Sequence, residues 1–493
     1  MDLSGKNYVL TRFVFLRLFG LVYLFAFLSL ALQVVPLVGE HGLLPARLFL
    51  DKAESPFSAF IEYPTFFWFF HSDAVLQVLA WIGVALSLVV LVGYANVPIL
   101  FVLWFLYLSF VHIGQLWYGY GWEMQLLETG FLALFLVPLI DARPFPRMLP
   151  PVPVIWLLRW LTFRVMFGAG LIKIRGDSCW KDFTCLFYHY ETQPLPNPLS
   201  PLFHFLPQWI HRLGVLWNHI VELVVPFFVF IPRFASIAGV IIVVFHVLLI
   251  FSGNLSFLNY ITIAAAVSCF NDTFLKKILP NFILKKADYS VTQGKTNNGY
   301  LFASCILVVF VVYLSIPVVQ NLLSSHQAMN TSFNRLHLVN TYGAFGSVGK
   351  ERYELIVEGT LDEEITPHSE WRVYEFIAKP GNVSRALPVV APYQPRLDWQ
   401  IWFAAMQSPE QNPWLIHLVW KLLHNDEQTL HLLAGNPFSE QPPHFIRVRY
   451  YRYAFNPPGS DDIWTREYVG EWLQPLSIDT SGLRAFVEGQ GWK

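Results

Sequence analysis

Cysteine is scarce: four in 493 residues cannot staple a small disulfide scaffold. An excess of charge of one sign is missing too. The formal net charge is −1, so no basic stripe offers itself to nucleic acid. There is no Gly-x-Ser-x-Gly, no P-loop, no Cys-x-x-Cys and no His-Glu-x-x-His. Those spacings serve nucleophilic, phosphate-binding, redox and zinc chemistry, so the familiar soluble-enzyme mechanisms have no foothold. No metal-ligand set stands out, and no inverted repeat of the transporter kind is visible. A cleavable leader is not expected either. The first apolar run, Phe13 to Val35, is too long and has no small-residue cleavage site.

Charge is thin over one part of the chain only. Residues 1–324 hold 34 of the 67 Asp, Glu, Lys and Arg residues, and residues 325–493 hold the other 33. The second density is that of an ordinary soluble domain. The first part carries instead apolar runs of about 18–22 residues, enough to cross a ~30 Å hydrocarbon layer. About nine spans are expected, near 13–35, 74–94, 97–117, 122–140, 154–173, 215–232, 235–252, 255–274 and 300–321. Loop charge orients them. With the N-terminus inside, the inner segments hold Lys6, Arg12 and Arg17, then Arg143 and Arg147, then Arg233. The last inner loop holds Lys276, Lys277, Lys285, Lys286 and Lys295. The first outer loop, 36–73, carries Glu40, Asp51, Glu54, Glu62 and Asp73. Nine crossings then carry the tail to the outer side, where Asn330 and Asn382 head glycosylation sequons.

The expected fold is an α-helical polytopic membrane bundle over 1–324 followed by a β-rich α+β soluble domain over 325–493. Two outer loops stand out, 36–73 with its Phe66-to-Phe70 aromatic cluster and the Pro-rich 174–214, where Pro194 to Pro207 forbid a long helix. In the tail, Arg352 to Glu358, Trp371 to Ala378 and Phe445 to Phe455 read as strands, and Trp414 to His424 and Gln428 to Ala434 as helices.

Ionisable groups inside spans are expensive and so are the first candidates for function. Glu123 and Glu128 stand five apart, about 140° around a helix, and make no paired-carboxylate site. Glu123 reads as an outer-interface residue, while Glu128 needs a partner. Arg164, near the middle of the fifth span, is expected to bridge Glu128 or Glu222, and Arg159 to snorkel from the inner end. Lys173, at the outer end, is either an interfacial anchor, the reading the sequence alone favours, or a partly desolvated base. His219 and Glu222 share one helix face, a spacing suited to a proton relay, although two ligands do not make a metal site. Cys269 and Cys305 lie in apolar runs and read as buried, inert thiols. Cys179 and Cys185 sit in a polar loop and can pair if it faces an oxidising compartment.

Several blocks then read together: Tyr118-Gly-Tyr-Gly-Trp-Glu-Met-Gln-Leu-Leu-Glu128, the run Phe163 to Asp177, and Cys179-Trp-Lys-Asp-Phe-Thr-Cys185. They continue with His189-Tyr-Glu-Thr-Gln-Pro-Leu-Pro-Asn-Pro198, Asn218-His-Ile-Val-Glu222, Tyr342-Gly-Ala-Phe-Gly346 and Pro392-Tyr-Gln-Pro-Arg-Leu-Asp-Trp399. Along nearly the whole chain this resembles the lipase maturation factor family. The stretch from the cysteines through His189, Glu191 and Gln193 is its most specific part. The resemblance implies a chaperone-like assembly factor rather than an enzyme, with a lipase or another exported protein as client and no cofactor. In a eukaryote it implies the endoplasmic reticulum membrane with the tail in the lumen, and in a bacterium the inner membrane. Gly170-Leu-Ile-Lys173, followed by Trp180, is also remotely similar to the membrane domain of vitamin K-dependent γ-glutamyl carboxylase. That similarity implies an alternative, a membrane enzyme with Lys173 as base on a lipid or quinone and with Glu128, Arg164, His219 and Glu222 lining its pocket.

Overall fold

An apolar run inside a membrane can satisfy its backbone polar groups only within itself, as a helix. The computed structural model describes residues 4–52 and 55–492. Glu54 of the first outer loop lies outside the described residues. Helices stand at all the expected spans: α1 (Val9–Ala31), α2 (Asp73–Val92), α3 (Val97–Ile113), α4 (Gly121–Leu134), α5 (Val152–Arg175), α6 (Gln208–His219), α7 (Ala235–Ser252), α8 (Leu258–Ala266) and α9 (Asn298–Leu323). Among the described residues, six segments are long and apolar enough to cross a membrane: Lys6–Ala31, Asp73–Val92, Val152–Arg175, Gln208–Phe230, Ala235–Ser252 and Asn298–Leu323. The chain is an integral membrane protein. The remaining helices, α3, α4 and α8, have 17, 14 and 9 residues. α4 is wrapped on nearly every side by other elements, and its Glu123 and Glu128 both contact the tail.

One helix departs from simple expectation for local reasons. α6 starts at Gln208, earlier than the expected 215, because Pro207 ends the Pro-rich segment and opens a helix. It then widens into a π turn, Ile220–Val224, and tightens into a 3-10 turn, Val225–Phe230. Pro226 has no N–H to return to the carbonyl four residues back, and the helix rearranges around that gap. The loop before α6 is folded into short helices at Ser178–Lys181, Leu186–Thr192 and Ser200–His204.

In the tail, β1 (Arg352–Thr360), β2 (Arg372–Val373), β3 (Phe445–Phe455) and β4 (Trp464–Leu476) form an antiparallel sheet in the order β2-β1-β3-β4. Helices α10 (Arg396–Ala404) and α11 (Pro413–Leu423) accompany it. The strand expected at Trp371 to Ala378 shrinks to β2 plus a single bridge from Phe376 to Leu433. The helix expected at Gln428 to Ala434 shrinks to Glu427–Leu430. β4 has no counterpart in the sequence reading, because as an edge strand it is largely exposed and carries charge on both faces.

One hydrophobic core runs through bundle and tail alike, joining Phe19, Tyr23 and Trp104 to Tyr342, Val357, Trp399 and Leu415. Polar contacts stitch the same boundary. Ser29 Oγ and Gln33 Nε2 both donate to the Gln394 carbonyl at 2.7 Å, and Gln33 Oε1 accepts from Arg396 N at 2.8 Å.

Inside the tail, Glu354 bridges Arg352 at 2.5 Å and Lys379 at 2.9 Å, with all three side chains buried. Beside them Asp398 accepts the Ala378 N–H at 2.5 Å. Burial pushes the Asp398 carboxyl up to about 7, from a value near ~3.9 in an unfolded chain. The folded protein therefore binds the extra proton, so this contribution to stability is complete below about pH 4 and disappears as pH rises through about 7. Lys379, pushed down to about 8 by burial, titrates above that window. Asp398→Asn keeps the acceptor for Ala378 and removes the proton. Thermal unfolding of the full chain in detergent should show a wild-type loss of order 2–4 kcal/mol across that pH range that the variant lacks.

Candidate functional site

Two glycines let α5 come close to its neighbours, where small residues are the usual means of tight helix packing in membranes. A Cβ at Gly168 would stand 2.5 Å from the Tyr342 carbonyl, and one at Gly170 would stand 2.7 Å from Leu223 and 3.0 Å from the Glu222 Cβ. One turn beyond Gly170, Lys173 therefore meets the widened turn of α6. Its Nζ donates to Glu222 Oε1 at 2.5 Å and to Asn218 Oδ1 at 3.1 Å, and Asn218 Nδ2 donates to Glu222 Oε2 at 2.9 Å. The Trp180 ring lies 5.1 Å from the ammonium. Lys173 is only 5% exposed, so it is not the interfacial anchor that the sequence favoured. The close helix contact at Gly170 buries it against a carboxylate.

This triad forms part of the lining of a cavity of about 990 Å³ between α5, α6, α7, α8 and the tail. Its other polar lining includes His246, hydrogen-bonded to Asn259 at 3.0 Å, and Gln125, hydrogen-bonded to Thr262 at 3.1 Å. His189, on the outer loop, faces the same space. Burial and the charge of Lys173 push its imidazole down to about 4, so it is neutral near pH 7. The walls are aromatic, with Trp122, Trp180, Phe245 and Trp399 among them.

The group Glu128, Arg164, His219 and Glu222 does not converge. Arg164 salt-bridges Glu128, and both are buried in a separate cluster. There Tyr342 Oη donates to Glu128 Oε2 at 2.7 Å, and Arg164 Nη1 donates to the Asn340 carbonyl at 2.8 Å. The π turn takes Glu222 toward Lys173, while His219 Nε2 lies 3.0 Å from the Trp180 carbonyl. None of Glu128, Arg164 and His219 lines the cavity. Glu123 is not interfacial either. It is fully buried, bonded to Tyr107 and, at 2.8 Å, to Arg396 of the tail. Arg159 does not snorkel; it is buried and donates to the Ser268 carbonyl at 2.9 Å.

The outer-loop residues act as a clasp. Gln193 donates to the Ser252 carbonyl at 2.8 Å, and the Gln193 carbonyl accepts from Arg352 at 2.5 Å. Glu191 accepts the Phe455 N–H at 2.7 Å. Cys179 and Cys185 are joined as a disulfide packed on Val215 and Val348. Cys269 is buried, but Cys305 is exposed on α9, since an apolar run in a membrane helix also covers its lipid-facing side.

Several partners went unread in the sequence: Arg396 for Glu123, Asn340 and Tyr342 for Glu128, and the Arg352–Glu354–Lys379 network. Their signal lay in charges set within otherwise apolar strand and helix-start segments such as Arg352 to Glu358.

Compared with known proteins, residues 10–277 match the signature described as lipase maturation factor transmembrane domain, and residues 338–474 match the lipase maturation factor C-terminal domain. Lipase maturation factor 1 of Bos taurus is 45% identical over 100% of this chain and 94% of its own. The Homo sapiens protein of that name is 44% identical over 99% of this chain and 91% of its own. Lipase maturation factor 2 of Homo sapiens is 30% identical over 98% and 85%. No solved structure matches.

Proposed function

The chain belongs to the lipase maturation factor family, and from that premise we propose that it assists the maturation of a secreted lipase. The observation that carries this is identity of 44–45% along essentially the full length of relatives bearing that name. Those names speak for maturation and not for the carboxylase-like alternative. The lysines and arginines cluster in the segments that are inner when the short helices α3, α4 and α8 cross along with the six longer segments. Nine crossings support a cytoplasmic N-terminus and a tail on the extracytoplasmic side, lumenal in a eukaryotic endoplasmic reticulum, whereas an even count would leave the tail in the cytoplasm. The face available to a client is then built jointly by the 174–214 loop and the tail. These are held together by Arg352 donating to the Glu191, Gln193 and Pro194 carbonyls.

The test expresses the full chain with a secreted lipase in cells that lack their own maturation factor. Lipase activity per unit of lipase protein in the medium should rise, and the chain should co-purify with the lipase. Unchanged specific activity would refute the function. In the same cells the exposed Asn382 sequon should acquire an endoglycosidase-sensitive glycan, and an unmodified Asn382 would refute the orientation.

A further inference from the structure

The cavity beside Lys173 has a polar floor whose charges cancel. Lys173 and Glu222 pair with each other, and the other polar side chains around them, His189, His246, Gln125 and Asn259, are amides and imidazoles, with His189 neutral near pH 7. A bound phosphate or carboxylate would meet Glu222 with no spare cation, and a bound ammonium would meet Lys173. Uncharged hydroxyl and carbonyl groups, by contrast, find both donors and acceptors. Lys173 has a third N–H beyond the two given to Glu222 and Asn218.

The rim shows where a ligand enters. Ile237, Val240, Val244, Leu248 and Phe251 form one exposed stripe along α7, the face turned to lipid. Leu248 of that stripe, 43% exposed, also lines the cavity. So does Leu206, which follows the short helix Ser200–His204 packed on α7. Across the mouth stands Met406 of the tail, 57% exposed. The apolar wall of the cavity is thus continuous with the hydrocarbon-facing surface. Its volume of about 990 Å³ lies at the upper end of the ~300–1,000 Å³ usual for ligand pockets.

We propose that this cavity holds one uncharged membrane lipid with a hydroxyl- or ester-bearing head, of the mono- or diacylglycerol class. The head sits at the Lys173–Asn218–Glu222 triad, and the acyl chain runs between the aromatic walls toward Leu248. The proposal stands apart from the lipase reading, whose test follows a client's activity rather than a ligand.

Native mass spectrometry of the purified full chain in detergent, with monooleoylglycerol, oleate, dioleoylphosphatidylcholine and a short-chain quinone as competing probes, tests it. The wild type should retain one monooleoylglycerol and prefer it over oleate by at least about tenfold. Glu222→Gln leaves Lys173 uncompensated and should shift the preference toward oleate by at least about tenfold. Ala169→Phe, which fills the cavity from α5, should abolish retention while the protein stays monodisperse. Equal retention of all probes, retention unchanged in Ala169→Phe, or a wild-type preference for oleate, phosphatidylcholine or the quinone would each overturn the proposal. If Ala169→Phe does not fold, the wild-type selectivity and its shift in Glu222→Gln decide alone.

Discussion

Arg396→Met is expected to destabilise the full chain by about 3–5 kcal/mol, because it leaves Glu123 without its counter-charge in a fully buried site, with the Tyr107 hydroxyl as a remaining donor. Arg396 Nη1 donates to Glu123 at 2.8 Å and to the Trp117 carbonyl at 2.6 Å, and the Tyr118 ring lies 3.5 Å from the guanidinium. A methionine of similar length keeps the packing and deletes the charge. The double variant Arg396→Met/Glu123→Gln removes the stranded carboxylate and should recover most of the loss, since a buried pair is worth little against an apolar or neutral replacement. Thermal unfolding of the solubilised chain reads both. A single variant as stable as wild type, or a double variant no better than the single, would show that the ion pair does not hold the tail to α4.

The second large effect belongs to Arg164, and here the neighbours soften the blow. Arg164→Met also leaves a buried glutamate, but Glu128 keeps the Tyr342 hydroxyl at 2.7 Å and the Asn340 N–H at 3.2 Å. The loss should therefore fall at or below the ~3–5 kcal/mol of a broken buried pair. Tyr342→Phe, which deletes one neutral donor, should cost about 1–3 kcal/mol. The ordering is the sharper test, and it appears as unfolding midpoint and as protease sensitivity between residues 324 and 350. If Tyr342→Phe proved the worse of the two, the hydroxyl and not the guanidinium would carry the cluster.

The helices were legible in the sequence because a long apolar run has few alternatives, and the Glu128–Arg164 pair was legible because a charge at mid-span must be neutralised by something nearby. Lys173 was misread for the complementary reason. Its position at a span end permitted an interfacial role, and only the approach permitted by Gly170 revealed Glu222 as its partner. His219 and Glu222 were placed on one face by ideal helix geometry, which the π turn ahead of Pro226 breaks. β1 and β3 showed as short runs of β-formers, whereas β4 hid behind edge charge. Least legible was the docking of the tail. The block Pro392 to Trp399 could be recognised as a motif, yet nothing local says that Gln394 and Arg396 find their partners on α1 and α4.

The bond from Ser29 to the Gln394 carbonyl joins residues 365 apart in the chain. At a synthesis rate of ~5–20 residues per second, α1 therefore waits roughly 20–70 s in the bilayer before the segment that caps it exists. During that interval Ser29, Gln33, Glu123 and the Glu128–Arg164 cluster all lack their tail partners. The nascent bundle is thus itself an incomplete client, vulnerable to quality control until its last third has been translated and has closed over it.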